Sequence, residues 1–263
     1  MPTDSSTRAS AYTLATLVAL AVGCSAKGGA REGVATASAK ATTDDLAGLA
    51  FANVGGMACS ANSLGGNSFG SSCTGNGGQP EYWCADFVKW VWENNGVDVS
   101  GLTAAAGSFY VYGQNKGTLS NSPAVGDAVV FDYGGGGYAD HVAIVTRVNG
   151  DGTIETASGD WNGQSGSEAY FSSTSHVVLN DPPYDGSVGN SPGVMGMRID
   201  GYVAPVGVGA GSGNPPPPPP GGGGDACNGW DDGYYCGNDG PAGDPNTLYQ
   251  CAGGATVGSQ PCA

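Results

Sequence analysis

Nucleophilic catalysis is the chemistry that residues in the middle of this chain could support, and Cys84 is the candidate nucleophile. Cys84 lies near the start of the segment PEYWCADFVKWVWENNG, in which apolar residues recur at helical spacing. The free N–H groups and the positive dipole end of a helix N-terminus favour the thiolate, which is the attacking form of a cysteine. A small core residue or half of a disulfide is the alternative interpretation of Cys84.

A nucleophilic thiol needs a base that takes its proton and a third group that orients this base. The chain contains two histidines, His141 and His176. His141 opens an alternating apolar segment directly after a glycine-rich loop, where catalytic groups are often displayed, whereas His176 lies in an irregular serine-rich region. We therefore predict that His141 is the general base.

The third group is predicted from a hairpin. Residues 149–152, NGDG, are a strong turn signal between the segment HVAIVTRV and its partner TIETAS. The hairpin returns the chain to the start of the His141 strand, so that Asp160 or Ser158 can reach the imidazole, fix its tautomer and stabilise the imidazolium. We predict Asp160 as the orienting residue, with Ser158 as the less favoured alternative.

Two signals bound the helix that must carry Cys84. Pro80 suits a first helical turn and Gly96 suits the left-handed position after a helix end, so we predict about four turns between them. One stripe of this helix is expected to pack against the rest of the domain and consists of Cys84, Phe87, Val88 and Val91. The Cys84 thiol, at the start of the stripe, is expected to be half-buried.

Other segments predict helix before Cys84 and strands after it. Thr42 is an N-cap signal for a first helix that ends at Gly55-Gly56. Residues 57–78 form a glycine- and serine-rich loop, residues 97–120 are interpreted as mixed turn and helix, and residues 162–193 are weakly patterned. Four segments carry strand patterns: 126–131, 141–149, 153–158 and 199–206. Helices followed by an antiparallel sheet indicate the α+β class.

The charge balance argues against one large class of partners. The 263 residues include 8 basic and 23 acidic side chains. Nucleic-acid binding depends on neutralising phosphates with Lys and Arg, so we expect no nucleic-acid partner. Glycine numbers 49 and only 12% of residues are charged, which favours a loop-rich, strand-rich exported protein over a helical bundle.

The first residues predict export. Residues 1–23 contain Arg8, an apolar run too short for a stable membrane span, and small residues before Cys24, which is the order of a secretory signal. The residues before Cys24 resemble a bacterial lipobox, in which the signal is cut and the cysteine is acylated. A flexible tether would then occupy residues 24–42, with the membrane reached only through the lipid. We expect a lipoprotein of the bacterial envelope, or otherwise a periplasmic or secreted protein.

Cysteine pairing is expected in an oxidising compartment. If Cys24 is acylated and Cys84 is free, Cys59 pairs with Cys73 in the loop. The remaining cysteines all lie in the tail: Cys227, Cys236, Cys251 and Cys262. Without processing, Cys24 could pair with Cys84 instead. The connectivity within the tail stays open.

A proline-rich spacer divides the chain. Six consecutive prolines flanked by glycines mark residues 207–224 as a linker after the larger unit, residues 43–206. The unit that follows, residues 225–263, is too small to fold on an apolar core alone, so we expect its four cysteines to form two disulfides. Its aromatic residues could bind sugar rings or form the small core of this unit.

Segments of the larger unit resemble the CHAP family, the cysteine, histidine-dependent amidohydrolases and peptidases: EYWCADFVKWVW, VGDAVVFDYGGGGYADHVAIVTRV, TIETASGDWNG and GYVAPV. The resemblance spans residues 43–206 and keeps the order and spacing of the elements. It implies a compact papain-like α+β fold, related to that of the NlpC/P60 hydrolases. It also implies that Cys84 is the nucleophile and that His141 is the base.

The chain departs from this family at the third catalytic position. Many relatives have Glu-Gly-Asn before a tryptophan, where this chain has Ser158-Gly159-Asp160. The oxyanion hole would use the backbone N–H of Cys84, with the side chain of Gln79 as a further candidate. No residue spacing indicates a metal site, and we expect no cofactor.

The resemblance implies a hydrolase that cuts amide bonds of bacterial peptidoglycan, as an amidase or an endopeptidase. Together with the predicted leader, it leads us to expect an exported protein, and we expect it to be a monomer. It would act through a thiolate-imidazolium pair and an acyl-enzyme. One alternative is a non-catalytic surface lipoprotein that binds wall glycans, although a binding cleft would need neither Cys84 nor His141. Another is a CHAP amidase that acts on a non-wall amide such as a polyamine conjugate, although export and the tail favour the wall.

Overall fold

The computed structural model describes residues 40–213, 227, 233–236, 247–252 and 255–261. These residues belong to one compact unit, which spans residues 39–263. The predicted leader (1–23), the predicted acylation site Cys24, most of the tether and much of the linker lie outside the described residues.

Four helices and a six-stranded antiparallel sheet form the larger part of this unit. The helices are α1 (Thr43–Phe51), α2 (Cys84–Asn94), α3 (Gly107–Lys116) and α4 (Glu168–Thr174). The strands are β1 (Leu119–Ser120), β2 (Ala128–Phe131), β3 (His141–Val148), β4 (Thr153–Trp161), β5 (His176–Asp185) and β6 (Ile199–Val203). Their order across the sheet is β1-β6-β2-β3-β4-β5. The mixed architecture of helices and antiparallel sheet confirms the predicted α+β class.

Helix α2 begins later than the sequence predicts. Residues 80–83 lie outside the helix, and its first hydrogen bond runs from the Phe87 N–H to the Trp83 carbonyl over 3.0 Å. Other contacts hold the preceding chain, since the Glu81 N–H donates to the Ser72 carbonyl. The helix therefore has 11 residues, about three turns, and Cys84 is its first residue. Gly96 has φ +77°, as predicted for the position after the helix end.

Aromatic packing ties α2 to the disulfide loop before it. The Phe69 ring, from that loop, stacks on Trp83 at 5.6 Å between centroids and meets Phe87 and Trp90 edge-on at 5.3 and 5.2 Å. These four residues belong to the main buried cluster, together with inward-facing residues of β2, β3 and β4. The start of α2 is thus fixed from both sides, by the loop and by the sheet.

Strand β5 and the short helix α4 fall in the region that looked weakly patterned. The sequence of β5, HVVLNDPPYD, contains two adjacent prolines, and its pairing with β4 has register shifts on both sides of the segment Thr156–Ser158. β5 is the edge of the sheet, where prolines are tolerated because one side of the strand needs no N–H donors. The bulges and prolines remove the two-residue period by which a strand is recognised in sequence.

The described part of the tail contains a second, three-stranded antiparallel sheet. Its strands are β7 (Gly233–Cys236), β8 (Thr247–Ala252) and β9 (Ala255–Pro261), and a disulfide joins Cys227 to Cys251. Cys262 lies outside the described residues, so the predicted second disulfide of the tail stays a prediction. None of the helices in the described part of the chain is both long and apolar enough to cross a lipid bilayer.

Candidate active site

A cleft of about 650 Å³ lies where the start of α2 faces the beginning of β3 and the end of β4. Cys84, His141 and Asp160 all line it. Tyr82 and Tyr138, with 53% and 65% of their surface exposed, stand at its mouth. The fold therefore brings three of the predicted site residues to one cavity from distant parts of the chain.

Cys84 is a buried, protonated thiol. Burial, and to a lesser extent the carboxylate of Asp160, raises the pKa of the Cys84 thiol to about 12. The backbone N–H groups of Val142 and Ala85 hydrogen-bond the sulfur and lower this pKa only in part. The expectation of a half-buried thiolate is therefore corrected, because the helix N-terminus does not compensate for the solvation that the sulfur has lost.

His141 is likewise buried and neutral. Burial lowers the pKa of its imidazole to about 3. The Trp161 ring lies 4.9 Å from the imidazole and the Phe131 ring 6.0 Å from it, measured between centroids, so aromatic surface replaces much of the water around it. In the resting site the cysteine and the histidine are thus both uncharged, rather than a thiolate-imidazolium pair.

Ser158 is the side chain that contacts His141. Its Oγ lies 2.9 Å from His141 Nε2, and the Ser158 hydroxyl donates to Asn180 Oδ1 over 2.6 Å. Because the hydroxyl proton points to Asn180, the Ser158 oxygen accepts from the imidazole. His141 then carries its proton on Nε2 and keeps a lone pair on Nδ1.

Asp160, the residue preferred from sequence, takes a different position. Its Oδ2 accepts from the Trp83 N–H at 3.2 Å and its Oδ1 from the Ser175 hydroxyl at 2.6 Å. In a regular strand residues 158 and 160 would share one face, but the pairing with β5 shifts register between Ser158 and Trp161, and Asp160 has φ +55°. This irregularity directs Asp160 to Trp83, the residue preceding Cys84, which corrects its predicted contact with His141.

Burial gives Asp160 an electrostatic role as well. It raises the pKa of the Asp160 carboxyl to about 6, although the Ser175 hydroxyl and the Trp83 N–H lower it. At neutral pH the ionised carboxylate therefore lies beside the Cys84 thiol and disfavours its thiolate form.

The two candidates for the oxyanion hole differ in position. Cys84 is the first residue of α2, so its N–H is among those without an acceptor inside the helix and can serve an oxyanion. Gln79 is exposed on the preceding loop, where its backbone pairs with Asn76, and it is not among the residues that line the cleft. The structure therefore does not bring Gln79 to the site.

Two residues of the site were missed in the sequence. Asn180 lies on β5, which was not predicted, and Ser175 lies directly before that strand. Both are polar residues with almost no exposed surface, at 2% and 0%. Buried polar side chains are held by hydrogen bonds, but burial in an irregular edge region leaves no sequence pattern that would have revealed them.

The cysteines fit a free nucleophile. A disulfide joins Cys59 to Cys73, as predicted, and Cys84 is a free thiol. The alternative of a Cys84 disulfide is therefore not what the structure contains. Within the part of the chain that the structure describes, His, Cys, Asp and Glu side chains form no group of three that could hold a metal ion.

A family model agrees with this site. The CHAP domain model matches residues 74–160, a segment that begins in the disulfide loop and includes Cys84, His141 and Asp160. No curated protein and no solved structure matches the chain. The family match confirms the resemblance found in the sequence, and CHAP domains are typically cysteine- and histidine-dependent amidohydrolases or peptidases.

Proposed function

We propose that the CHAP domain of this chain is a cysteine hydrolase that cleaves amide bonds of bacterial peptidoglycan. The observation that carries the proposal is the free Cys84 thiol at the start of α2, in one cleft with His141, whose Nε2 is already bonded to Ser158. This leaves Nδ1 as the ring atom that can take a proton, in an arrangement of helix and sheet that supports a papain-like site.

In the first step, His141 Nδ1 removes the Cys84 proton while the sulfur attacks the substrate carbonyl carbon. The C=O π electrons move to the carbonyl oxygen, and the Cys84 N–H stabilises the oxyanion. Since both groups are neutral at rest, the ion pair forms only as the sulfur attacks, and not before substrate binds.

In the second step, the oxyanion re-forms the carbonyl and the C–N bond breaks. The leaving nitrogen takes the proton from the His141 imidazolium, so that an amine departs and a thioester on Cys84 remains. Water, deprotonated by the now neutral His141, attacks the thioester carbonyl carbon. The C–S bond then breaks, the acyl group leaves as a carboxylic acid, and the His141 imidazolium returns its proton to the sulfur to restore the thiol. Ser158 accepts a hydrogen bond from Nε2–H throughout, which keeps the ring in one orientation.

The lining of the cleft supports a peptide substrate with amino groups. None of the residues that line the cleft is Lys or Arg. Four of them carry carboxyl groups: Glu81, Asp140, Asp160 and Glu168. The exposed rings of Tyr82 and Tyr138 add flat apolar surface at the mouth, which suits the faces of sugar rings as well as peptide. Peptidoglycan carries both amino groups and sugar rings close to its amide bonds.

The sequence supports an extracytoplasmic site of action. The predicted leader, acylation at Cys24 and the disulfide-linked tail together suit a monomeric protein held at the cell envelope, where peptidoglycan is within reach. The lipid on Cys24 would be its contact with the membrane.

The test compares the purified protein with Cys84→Ala on isolated peptidoglycan, with release of new amino groups as the readout. Cys59→Ser/Cys73→Ser, which removes the loop disulfide but keeps the thiol, is the control for the loss of a cysteine as such. We expect Cys84→Ala to abolish amine release. Equal release of amino groups by the wild type and by Cys84→Ala would overturn the proposal.

One observation favours a second candidate, a non-catalytic protein that binds wall glycans. Ser158 gives His141 a hydroxyl in place of a carboxylate, so within the described part of the chain the residue hydrogen-bonded to the ring does not stabilise an imidazolium by charge. The same experiment separates the two functions: this candidate predicts that both proteins sediment with peptidoglycan and that neither releases amines.

A further inference from the structure

We propose that Asn180 is a positioning residue for His141, acting through Ser158 in an uncharged relay that takes the place of an orienting carboxylate. This inference rests on the proposed function, because the relay matters for the proton that His141 takes from Cys84. The family match ends at residue 160 and does not include Asn180.

Four buried side chains form the relay. His141 Nε2 lies 2.9 Å from Ser158 Oγ, and Ser158 Oγ lies 2.6 Å from Asn180 Oδ1. The Thr156 hydroxyl donates to the same Asn180 oxygen over 3.0 Å. Exposure of these side chains is between 0% and 5%, so water does not compete for the hydrogen bonds.

The direction of the relay follows from its far end. The amide oxygen of Asn180 can only accept, and it accepts from the hydroxyls of both Ser158 and Thr156. With its own proton committed to Asn180, the Ser158 oxygen can only accept from His141. The Asn180 oxygen therefore selects the Nε2–H tautomer, which is the one that leaves Nδ1 free to act as the base.

The opposite orientation of the amide would produce the wrong tautomer. If Nδ2 faced Ser158, it would donate to the hydroxyl, and the hydroxyl would donate to His141 Nε2. The ring would then carry its proton on Nδ1 and could not accept one there from Cys84. The two orientations of the Asn180 amide therefore differ in which ring nitrogen of His141 carries the proton, and this can be measured.

The amide nitrogen supports a role beyond packing. Asn180 Nδ2 is buried and has no hydrogen-bond partner in the described part of the chain. An unsatisfied buried donor destabilises a fold, so a leucine of similar volume would suit this position better if only packing were at stake. The oxygen of Asn180 is the part of the side chain that the site uses.

The test uses ¹⁵N-histidine labelling of the purified full chain, which has only two histidine signals to assign. Long-range ¹H–¹⁵N spectra report the tautomer of His141, with His176 as an internal reference. We expect the wild-type ring to be Nε2–H. Asn180→Ala should populate both tautomers and lower kcat at least about tenfold with little change in KM.

Two further variants separate positioning from stability. Asn53 is also a buried asparagine, 5% exposed and bonded through Nδ2 to the Leu49 carbonyl and Ser63 Oγ, so Asn53→Ala is the matched control for loss of a buried amide. It should lower stability and leave the His141 tautomer unchanged. Asn180→Asp keeps the acceptor and adds a charge, so it should retain Nε2–H and raise the pH at which His141 titrates.

The relay is overturned by an Nδ1–H ring in the wild type, which can be read even if the Asn180 variants do not fold. It is also overturned if Asn180→Ala shifts the tautomer no more than Asn53→Ala does. Neither spectrum requires turnover. A failed peptidoglycan assay therefore counts against the proposed function alone, while the tautomer decides the relay.

Discussion

At the scale of single residues, the site pairs two neutral groups that burial holds away from their charged forms. The negative charge of Asp160 is one cause of the raised pKa of Cys84, and Asp160 makes this contribution without touching His141. Its hydrogen bond to the Trp83 N–H fixes the residue that precedes Cys84. Asp160 therefore positions Cys84 while making its ionisation harder.

Asp160→Asn separates these two effects. The amide oxygen can still accept from the Trp83 N–H, and the Ser175 hydroxyl can turn to the Ser172 carbonyl, which lies 3.0 Å away. Loss of the charge should lower the pKa of Cys84, so the rate of alkylation by iodoacetamide at pH 8 should rise several-fold. The wild-type rate should keep rising above pH 10, whereas the rate for the unfolded protein should be half-maximal near pH 8.5 and level off about one pH unit above it.

Glu168→Gln is the control for this change, because Glu168 lines the same cleft but is not among the groups that shift the pKa of Cys84. Its alkylation profile should follow the wild type. An unchanged profile for Asp160→Asn would show that Asp160 does not hold the thiol in its neutral form.

The prediction that Cys84 and His141 lie in one site agrees with the cleft that both residues line, and both lie at the start of a regular element whose period is visible in the sequence. The sequence does not identify the partner of His141. The hairpin places both Ser158 and Asp160 near His141, and the preference for Asp160 takes no account of the register shift between Ser158 and Trp161, which separates the directions of the two side chains. Asp160 has a left-handed φ of +55°, and although aspartate adopts this conformation more often than most residues, few aspartates do, so the residue type alone does not predict it.

At the scale of elements, α2 can approach β4 closely because residue 159 is a glycine. A Cβ at this position would lie 2.5 Å from the Cβ of Phe87 and 2.9 Å from the Trp83 ring. Neither neighbour can yield, since both are fully buried in the aromatic cluster around Phe69.

Gly159→Ala should therefore push α2 off the sheet and destabilise the protein by about 2 kcal/mol or more. Chemical denaturation would measure this loss, and activity should fall with it because Cys84 moves relative to His141. Gly48→Ala in α1 is the matched control: its Cβ would meet no atom within 4 Å, so stability should increase by about 0.5–1 kcal/mol. Equal effects of the two substitutions would contradict the close approach at Gly159.

Helices α1 and α2 and strands β2, β3, β4 and β6 were predicted to within a few residues from their periods and end signals. At the Thr42 cap, for example, Asp45 accepts from both the backbone N–H and the hydroxyl of Thr42. The predicted start of α2 is too early. Proline suits a first helical turn and an extended segment equally well, and Pro80 lies in the non-helical segment before the helix. Long-range contacts, such as that between Asp160 and Trp83, decide where the helix begins, and no local pattern records them.

At the scale of the whole molecule, buried carboxyl groups make stability depend on pH. Asp127, in the turn before β2, is 3% exposed and accepts one hydrogen bond, from the Ala124 N–H. Burial raises its pKa to about 7, above the value of about 3.9 in an unfolded chain. The folded protein thus holds this proton more tightly, so the stability it contributes is full below about pH 4 and is lost as the pH rises through 7.

Asp127→Asn keeps the acceptor and cannot ionise. Its Tm should match that of the wild type near pH 4 and exceed it by several degrees at pH 8. Asp98→Asn is the control, since Asp98 is an exposed carboxyl whose pKa its partner Lys116 lowers, and its loss should give no gain at pH 8. A Tm difference for Asp127→Asn that is constant between pH 4 and pH 8 would contradict the burial of a carboxyl that ionises.

The most direct test of catalysis by Cys84 is detection of the covalent acyl-enzyme. The purified protein would be mixed with soluble peptidoglycan fragments, quenched in acid within the first turnover, digested and mapped by mass. We expect an acyl adduct on Cys84 that hydroxylamine removes and that does not form in His141→Ala. An adduct on another residue, or amine release with no adduct on Cys84 at any time of quenching, would contradict catalysis by Cys84.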